Sequence, residues 1–150
     1  MKNRVWALGA GLLAALAVAA LAVAASLGTY KVSAALVPKG EVPAAKAPAA
    51  AKGSFSGVYK ENKKGAVLTW KLSFSGLSGA AMAAHIHAGK PGVAGPVVVP
   101  LCGPCTSGMT GKATISDAVI KALESGGAYV NVHTAKNAGG EIRGQVKVKG

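Results

Sequence analysis

The stretch AVLTWKLSFSGL, residues 66–77, decides the fold class. Its large apolar residues occupy every second position, namely Leu68, Trp70, Leu72 and Phe74. The positions between them are polar: Thr69, Lys71 and Ser73. Alternation with a period of two is typical of a β-strand with one face in the core and the other turned away from it. The stretch therefore predicts a half-buried strand.

Similar short segments, separated by Gly- and Pro-rich turns, occur on both sides of this strand. They lie at 29–38, 54–60, 81–87, 96–101, 128–134 and 141–149. The one good helix signal is SDAVIKALESGG, in which Ser116 is a plausible N-cap and Gly126 a C-terminal cap. This pattern predicts an all-β fold, an antiparallel β-sandwich or Greek-key barrel with one short helix near 116–125.

The N-terminus has the layout of an export signal. Lys2 and Arg4 precede an uncharged apolar run from Val5 to Leu27. A positive start, an apolar middle and small residues before cleavage are typical of a signal peptide, here residues 1–25. The alternative is an uncleaved N-terminal membrane anchor, because 18 or more apolar residues suffice to span a bilayer. Both predict an exported domain, periplasmic or extracellular.

The chain is strongly basic, with 17 Lys and Arg against 5 Asp and Glu. Without Lys2 and Arg4 the net charge is still +10. Such a balance favours anionic partners, so we expect an anionic cell-envelope surface as a partner. Arginine is nearly absent and no aromatic residues interleave with the basic ones, which argues against specific nucleic-acid recognition.

The two cysteines, Cys102 and Cys105, form a CGPC motif with the spacing of a thioredoxin-type redox centre. It follows VVVPL and precedes TSGMTG, which predicts a loop rather than the start of a helix. In an exported chain two cysteines more often form a structural disulfide. We expect a local disulfide and keep the redox centre as the alternative.

The chain has three histidines, His85, His87 and His133, and all fall in the phase opposite to the core positions of their strands. Imidazole nitrogens are good ligands for copper or zinc, and residues i and i+2 of one strand lie about 6.5–7 Å apart at Cα. The phase therefore predicts a possible single-ion copper or zinc site, with Glu141 as a fourth ligand or as a group that orients a histidine. Three further residues share the non-core phase and would surround the ligands: Arg143, Tyr129 and Asn131. The alternative is an exposed polar sheet face without a metal, with Glu141 and Arg143 in a surface ion pair.

Three stretches resemble the CHRD domain family, named for the domain found in chordin. They are ALVPKGEVPAAKAPAAAKGSFSGVY (35–59), GLSGAAMAAHIHAGKPGVAGPVVVPLC (76–102) and ALESGGAYVNVHTAKNAGGEIRGQV (122–146). The resemblance implies one extracellular or periplasmic all-β domain over 29–150. It also implies that the Ala/Pro-rich segment 40–53, whose composition alone indicates a linker, is an irregular edge inside the domain. Cleavage after Ala24 or Ala25 fits this start. The family implies no settled activity.

A more remote likeness is to copper-zinc superoxide dismutase, which also carries His-x-His on a sandwich strand. Three histidines are too few for its two-metal site, so the likeness leaves only a mononuclear copper site. The sequence contains no combination of nucleophile, base and acid such as Ser, His and Asp, and we name no catalytic residue. The prediction is a non-catalytic binding or structural module, whose His-x-His plus His face is a candidate site for a single copper or zinc ion. A mononuclear copper redox enzyme is the alternative, in which Arg143 would be available to attract an anionic substrate. A thiol–disulfide protein is a third hypothesis.

Overall fold

A computed structural model describes residues 27–150, which form two packed antiparallel sheets and one short helix. The signal or anchor prediction for residues 1–25 lies outside the described residues. The strands are β1 Thr29–Leu36, β2 Lys52–Asn62, β3 Gly65–Ser75, β4 Ala81–Ala88, β5 Val97–Cys102, β6 Met109–Ile115, β7 Ala128–Thr134, β8 Ile142–Gln145 and β9 Lys147–Lys149. The helix, α1, is Asp117–Glu124, and a 3-10 turn spans Pro38–Gly40. The all-β sandwich with one helix is confirmed.

The two sheets share one apolar core. The five-stranded sheet has the order β6-β3-β2-β1-β9, and the four-stranded sheet has the order β5-β4-β7-β8. Leu68 and Leu72 of the central strand β3 are fully buried, as the alternation predicts. They belong to the same cluster as Ile86 of β4 and Val130 of β7. Because side chains alternate across a strand, burying these residues turns their neighbours to the outside of each sheet.

The helix begins and ends where the sequence predicts. Ser116 is the N-cap, and its hydroxyl accepts a hydrogen bond from the Val119 N–H. Gly126 follows the helix with a φ of +68°, a conformation that glycine adopts without steric strain. Within residues 27–150, no helix has both the length and the apolar character that a membrane crossing requires.

Two details differ from the sequence-based expectations. TSGMTG was expected to be a loop, but Met109–Gly111 already belong to β6. Gly111 pairs with Trp70 and lies against its ring: a Cβ there would be 2.4 Å from the indole, so this glycine permits close packing rather than a turn. Segment 141–149 was expected to be one strand, but it divides at Val146, because β8 pairs with β7 and β9 pairs with β1.

The Ala/Pro-rich segment between β1 and β2 is inside the domain, as the family resemblance implies. It crosses the outer face of the four-stranded sheet. The backbone N–H of Lys46 donates to Asn137 Oδ1 at 2.9 Å, and a Cβ on Gly40 would be 2.8 Å from the Arg143 carbonyl oxygen. The outer face of this sheet is therefore partly covered by irregular backbone.

Candidate metal centre

The three histidines lie together on the outer face of the four-stranded sheet. β4 pairs with β7, which places His85 opposite Asn131 and His87 opposite Tyr129. His133 lies two residues further along β7, opposite Ala83. One nitrogen of each imidazole lies within 4.8 Å of the other two. The pairing of β4 with β7, which alternation alone does not predict, brings the histidines to one place.

Two of the rings are oriented by backbone carbonyls. His87 Nδ1 lies 2.8 Å from the Gly95 carbonyl oxygen, and His133 Nδ1 lies 2.9 Å from that of Ala138. Because a carbonyl oxygen only accepts, each Nδ1 carries the proton and donates it, which leaves a lone pair on Nε2. Histidine ligands of metals in proteins are oriented in the same way. The Nε2 atom of His87 is buried and has no hydrogen-bond partner within the protein.

His85 contacts His133 directly. Its Nδ1 lies 3.1 Å from His133 Nε2, the atom that carries the lone pair. His85 Nδ1 is therefore the donor of this hydrogen bond. A metal ion between the two rings would replace the shared proton, and His85 would then carry its proton on Nε2. The bond thus holds the two rings near the spacing that a common ion needs.

The surroundings favour uncharged imidazoles. Burial, followed by repulsion from His133 and His87, lowers the pKa of His85. Burial, with a further contribution from His87, also lowers the pKa of His133, although its hydrogen bond to the Ala138 carbonyl acts in the opposite direction. Neutral imidazole is the form that binds copper and zinc, so these nitrogens are available at neutral pH.

Tyr129 supports the cluster from one side. Its ring stacks on His87 with centroids 4.8 Å apart and an interplanar angle of 8°. The Arg143 guanidinium packs on Tyr129, 3.3 Å from the ring centroid, and its Nη2 donates to the Lys90 carbonyl at 3.0 Å. The Tyr129 hydroxyl accepts from the Gly95 N–H at 3.2 Å. These contacts secure the loop that carries the carbonyl partner of His87.

Asn131 also faces this side of the sheet, between His85 on β4 and Arg143 on β8. It is 1 % exposed, and its Oδ1 has no hydrogen-bond partner within the protein. Tyr129, Asn131 and Arg143 therefore share the face of the histidines, as predicted. They are buried, however, whereas the phase argument allowed for an exposed face.

The structure does not place Glu141 with the histidines. The group of possible metal ligands contains the three histidines without it. Glu141 is fully buried, and its carboxylate accepts hydrogen bonds from Ser78, Thr134 and Asn137. The expectation of a fourth ligand thus fails on placement, because hydrogen-bond donors of neighbouring loops occupy this carboxylate. Neither does it form the exposed surface pair with Arg143 that was the alternative, since both residues are buried.

Glu41 is the residue that sequence reasoning missed. It lies in the Ala/Pro-rich segment, is 5 % exposed, and contacts Gly140, at which a Cβ would be 2.3 Å from Glu41 Oε1. Burial raises its pKa to about 7, against the opposing effect of the Arg143 guanidinium. The one signal in the sequence is that carboxylates are scarce. The chain has only five Asp and Glu, and one of them, Glu41, lies in a segment of linker-like composition.

Cys102 and Cys105 form a disulfide with an S–S distance of 2.09 Å, as expected. The bond joins the end of β5 to the turn before β6, and the Cys105 N–H donates to the Ala81 carbonyl at 3.0 Å. The motif is followed by a strand instead of the helix that follows it in thioredoxin-type proteins.

Three comparisons with known proteins were made, and one of them found a match. Neither a search of curated proteins nor a search of solved structures found a significant match. The family model of the CHRD domain matches residues 32–146, a range that contains both sheets' central strands and all three histidines. The chain therefore belongs to the CHRD domain family.

Proposed function

We propose that this CHRD domain is an exported, non-catalytic module that binds one copper or zinc ion through His85, His87 and His133. The observation that carries the proposal is the convergence of three imidazole nitrogens within 4.8 Å of one another. The buried lone pair on His87 Nε2 supports it, because a buried polar atom without a partner is costly unless something binds to it.

The spacing suits an ion after a small adjustment. With metal–nitrogen bonds of 2.0–2.1 Å, two nitrogens in a tetrahedral site lie about 3.4 Å apart. The pair His85 Nδ1 and His133 Nε2 is at 3.1 Å, and the widest separation of 4.8 Å requires one ring to move by about 1–1.5 Å. With Glu141 engaged elsewhere, water would complete the coordination.

Export is supported by the sequence and by the disulfide. The apolar run after Lys2 and Arg4 has the composition of a signal peptide or membrane anchor. Disulfides persist in oxidising compartments outside the cytosol, and the Cys102–Cys105 bond fits such a location. The bond also leaves neither cysteine of the chain as a thiol that would compete for the ion.

A mononuclear copper redox enzyme is the alternative, and it receives less support. In such an enzyme Arg143 would attract an anionic substrate. Arg143 is 2 % exposed and its guanidinium is held by the Tyr129 ring and the Lys90 carbonyl, so little of it is accessible to a substrate. Its position fits a support for the binding loop better than a substrate guide.

The test is calorimetric titration of the full-length chain with Cu(II) and with Zn(II). We expect one ion per chain, and a loss of affinity of about 100-fold or more in His85→Ala/His87→Ala. The matched control is Thr69→Ala/Lys71→Ala, which alters two outward positions of the same spacing on the other sheet. Equal affinity of the wild-type chain and the histidine variant would refute the metal site. Superoxide turnover by the copper-loaded chain would establish the redox alternative instead.

A further inference from the structure

The outer face of the five-stranded sheet carries an open array of lysines. Two adjacent rows of outward-facing residues run across all five strands. The first row is Lys112, Thr69, Val58, Lys31 and Lys149, and the second is Thr110, Lys71, Ser56, Ser33 and Lys147. All of these residues are exposed except Val58, which is half-buried. Lysines and hydroxyl-bearing residues thus make up nine of these ten positions, which together we call the lysine face.

No acidic residue neutralises the lysine face, and the five acidic residues of the chain all lie within the described residues 27–150. Two are buried, Glu41 and Glu141, and neither belongs to the five-stranded sheet. Two belong to the helix: Asp117 and Glu124. Glu61 stands at the end of β2 in the inward phase and accepts a hydrogen bond from the Gly28 N–H at 2.7 Å. The positive charge of the lysine face is therefore uncompensated by the protein.

The face is also hollow at its centre. A depression of about 640 Å³ lies between the two rows, and its rim carries Lys31, Lys71 and Lys149. Ser56, Thr69 and Val58 also line the depression, and most of its lining surface is apolar. The depression thus combines ammonium groups, small hydroxyls and the apolar stems of lysine side chains.

We propose that the lysine face binds a linear acidic polysaccharide. Carboxylates along such a chain would pair with the lysine rows, sugar hydroxyls would bond to the serine and threonine hydroxyls, and the apolar side of a sugar ring would lie over Val58. Neighbouring strands are 4.7–4.9 Å apart, so the five strands present charge over about 20 Å, a length of several sugar units. This site is on the opposite sheet from the histidines and does not depend on the proposed metal site.

Other anionic partners fit less well. Nucleic-acid surfaces use aromatic side chains for stacking and arginines for the backbone, and neither occurs in the two rows. Proteins that lie on membranes insert large apolar side chains, whereas the apolar residue of the rows, Val58, lines a depression. A depression that combines a mostly apolar lining with lysines and a few hydroxyls fits a slender sugar chain, which has apolar ring faces as well as hydroxyls and carboxylates.

The test compares binding of the full-length chain, in neutral detergent, to polygalacturonate and to its methyl-esterified, uncharged form. In 150 mM salt we expect Lys31→Ser/Lys71→Ser/Lys149→Ser to reduce polygalacturonate affinity at least tenfold and to lower the salt dependence of binding by about two or three released ions. The matched control, Lys39→Ser/Lys90→Ser/Lys136→Ser, removes the same charge from exposed positions outside the five-stranded sheet and should change affinity less than twofold.

A second variant tests the same site without removing any lysine, so its result does not depend on whether the lysine triple variant folds. Ser56→Glu places a carboxylate at the centre of the depression and leaves every lysine in place, and we expect a comparable loss of affinity. Equal losses in the two lysine triples would overturn the proposal, because binding would then follow net charge alone. Equal binding to the uncharged polymer would also overturn it. So would tighter binding to phosphatidylglycerol vesicles or to single-stranded DNA than to polygalacturonate.

Discussion

Glu141 joins the segment before β4 to the turn between β7 and β8, and its replacement by glutamine tests this role. Its Oε1 accepts from the Ser78 N–H, and its Oε2 accepts from Asn137 Nδ2, the Ser78 hydroxyl and the Thr134 hydroxyl. Burial would raise the pKa of this carboxyl, but these hydrogen bonds together hold it below its ordinary value. At neutral pH the group is therefore a charged acceptor surrounded by donors.

The change Glu141→Gln keeps the shape and removes this acceptor pattern. The Ser78 N–H, 2.6 Å from one oxygen, and Asn137 Nδ2, 2.9 Å from the other, both donate. In either orientation the new amide NH₂ faces one of them. A flip of Asn137 would not help, because its Oδ1 accepts from the Lys46 N–H. Losing a charged hydrogen bond and setting the new amide NH₂ against a donor should lower the free energy of unfolding by about 3–5 kcal/mol.

Urea denaturation at pH 7 measures this difference. The control is Glu124→Gln, an exposed change that keeps an oxygen for the Tyr59 hydroxyl and should alter the free energy of unfolding by less than about 0.5 kcal/mol. A Glu141→Gln variant within about 1 kcal/mol of the wild type would refute the reasoning, because it would show that the donors find other partners without strain.

Three further changes test the core, the covering segment and the disulfide. In the folded chain the pKa of Glu41 is about 7, whereas its ordinary value is 4.5. Because the folded state keeps this proton and the unfolded state loses it, the free energy of unfolding of the wild type should fall by up to about 3 kcal/mol as the pH rises from 4.5 to 7. In urea denaturation, Glu41→Gln should therefore be more stable than the wild type at pH 8 but not at pH 4, and a pH-independent difference would contradict the burial of the carboxyl. Ile86→Ala should cost about 2–5 kcal/mol by the same assay, since the side chain is fully buried, and a loss below 1 kcal/mol would place it outside the core. Cys102→Ser/Cys105→Ser should lower the stability by no more than about 2 kcal/mol in thermal unfolding, because the closed loop is short, and a larger loss would show that the bond supports more than its own turn.

The fold could be predicted because its strands carry a strong period of two. In β3 the alternation identifies the buried positions correctly from Leu68 to Leu72. Which strands pair with each other was harder to predict, because alternation gives the face on which a residue lies but not the strand that lies beside it. The pairing of β7 with β8 followed from their short loop, whereas the pairing of β4 with β7 crosses a long stretch of chain. The division at Val146 was also missed, since both halves continue the same phase.

For the candidate site, too, the sequence predicts the face on which a residue lies but not its neighbours. Phase correctly places the three histidines away from the core, but phase does not predict what lies over a sheet face. Segment 41–51 and the loop 89–96 are irregular, and neither has a periodic pattern that would reveal where it packs. For this reason Glu41 was taken for part of a linker, and Arg143 was expected to be available to a substrate. Both are buried under this covering backbone.

The two outer faces of the sandwich therefore have opposite physical characters. The lysine face is open, so each of its charges is hydrated at little cost. The histidine side is covered, and within residues 27–150 it holds four of the five buried side-chain polar atoms that lack a protein partner: Glu41 Oε1, His87 Nε2, Asn131 Oδ1 and Arg143 Nη1. Each such atom costs about 1–3 kcal/mol when nothing binds to it. Their concentration on one covered face is difficult to explain by packing, since Asn131 and His87 could be replaced there by apolar residues. The ion proposed above would satisfy one of them, His87 Nε2.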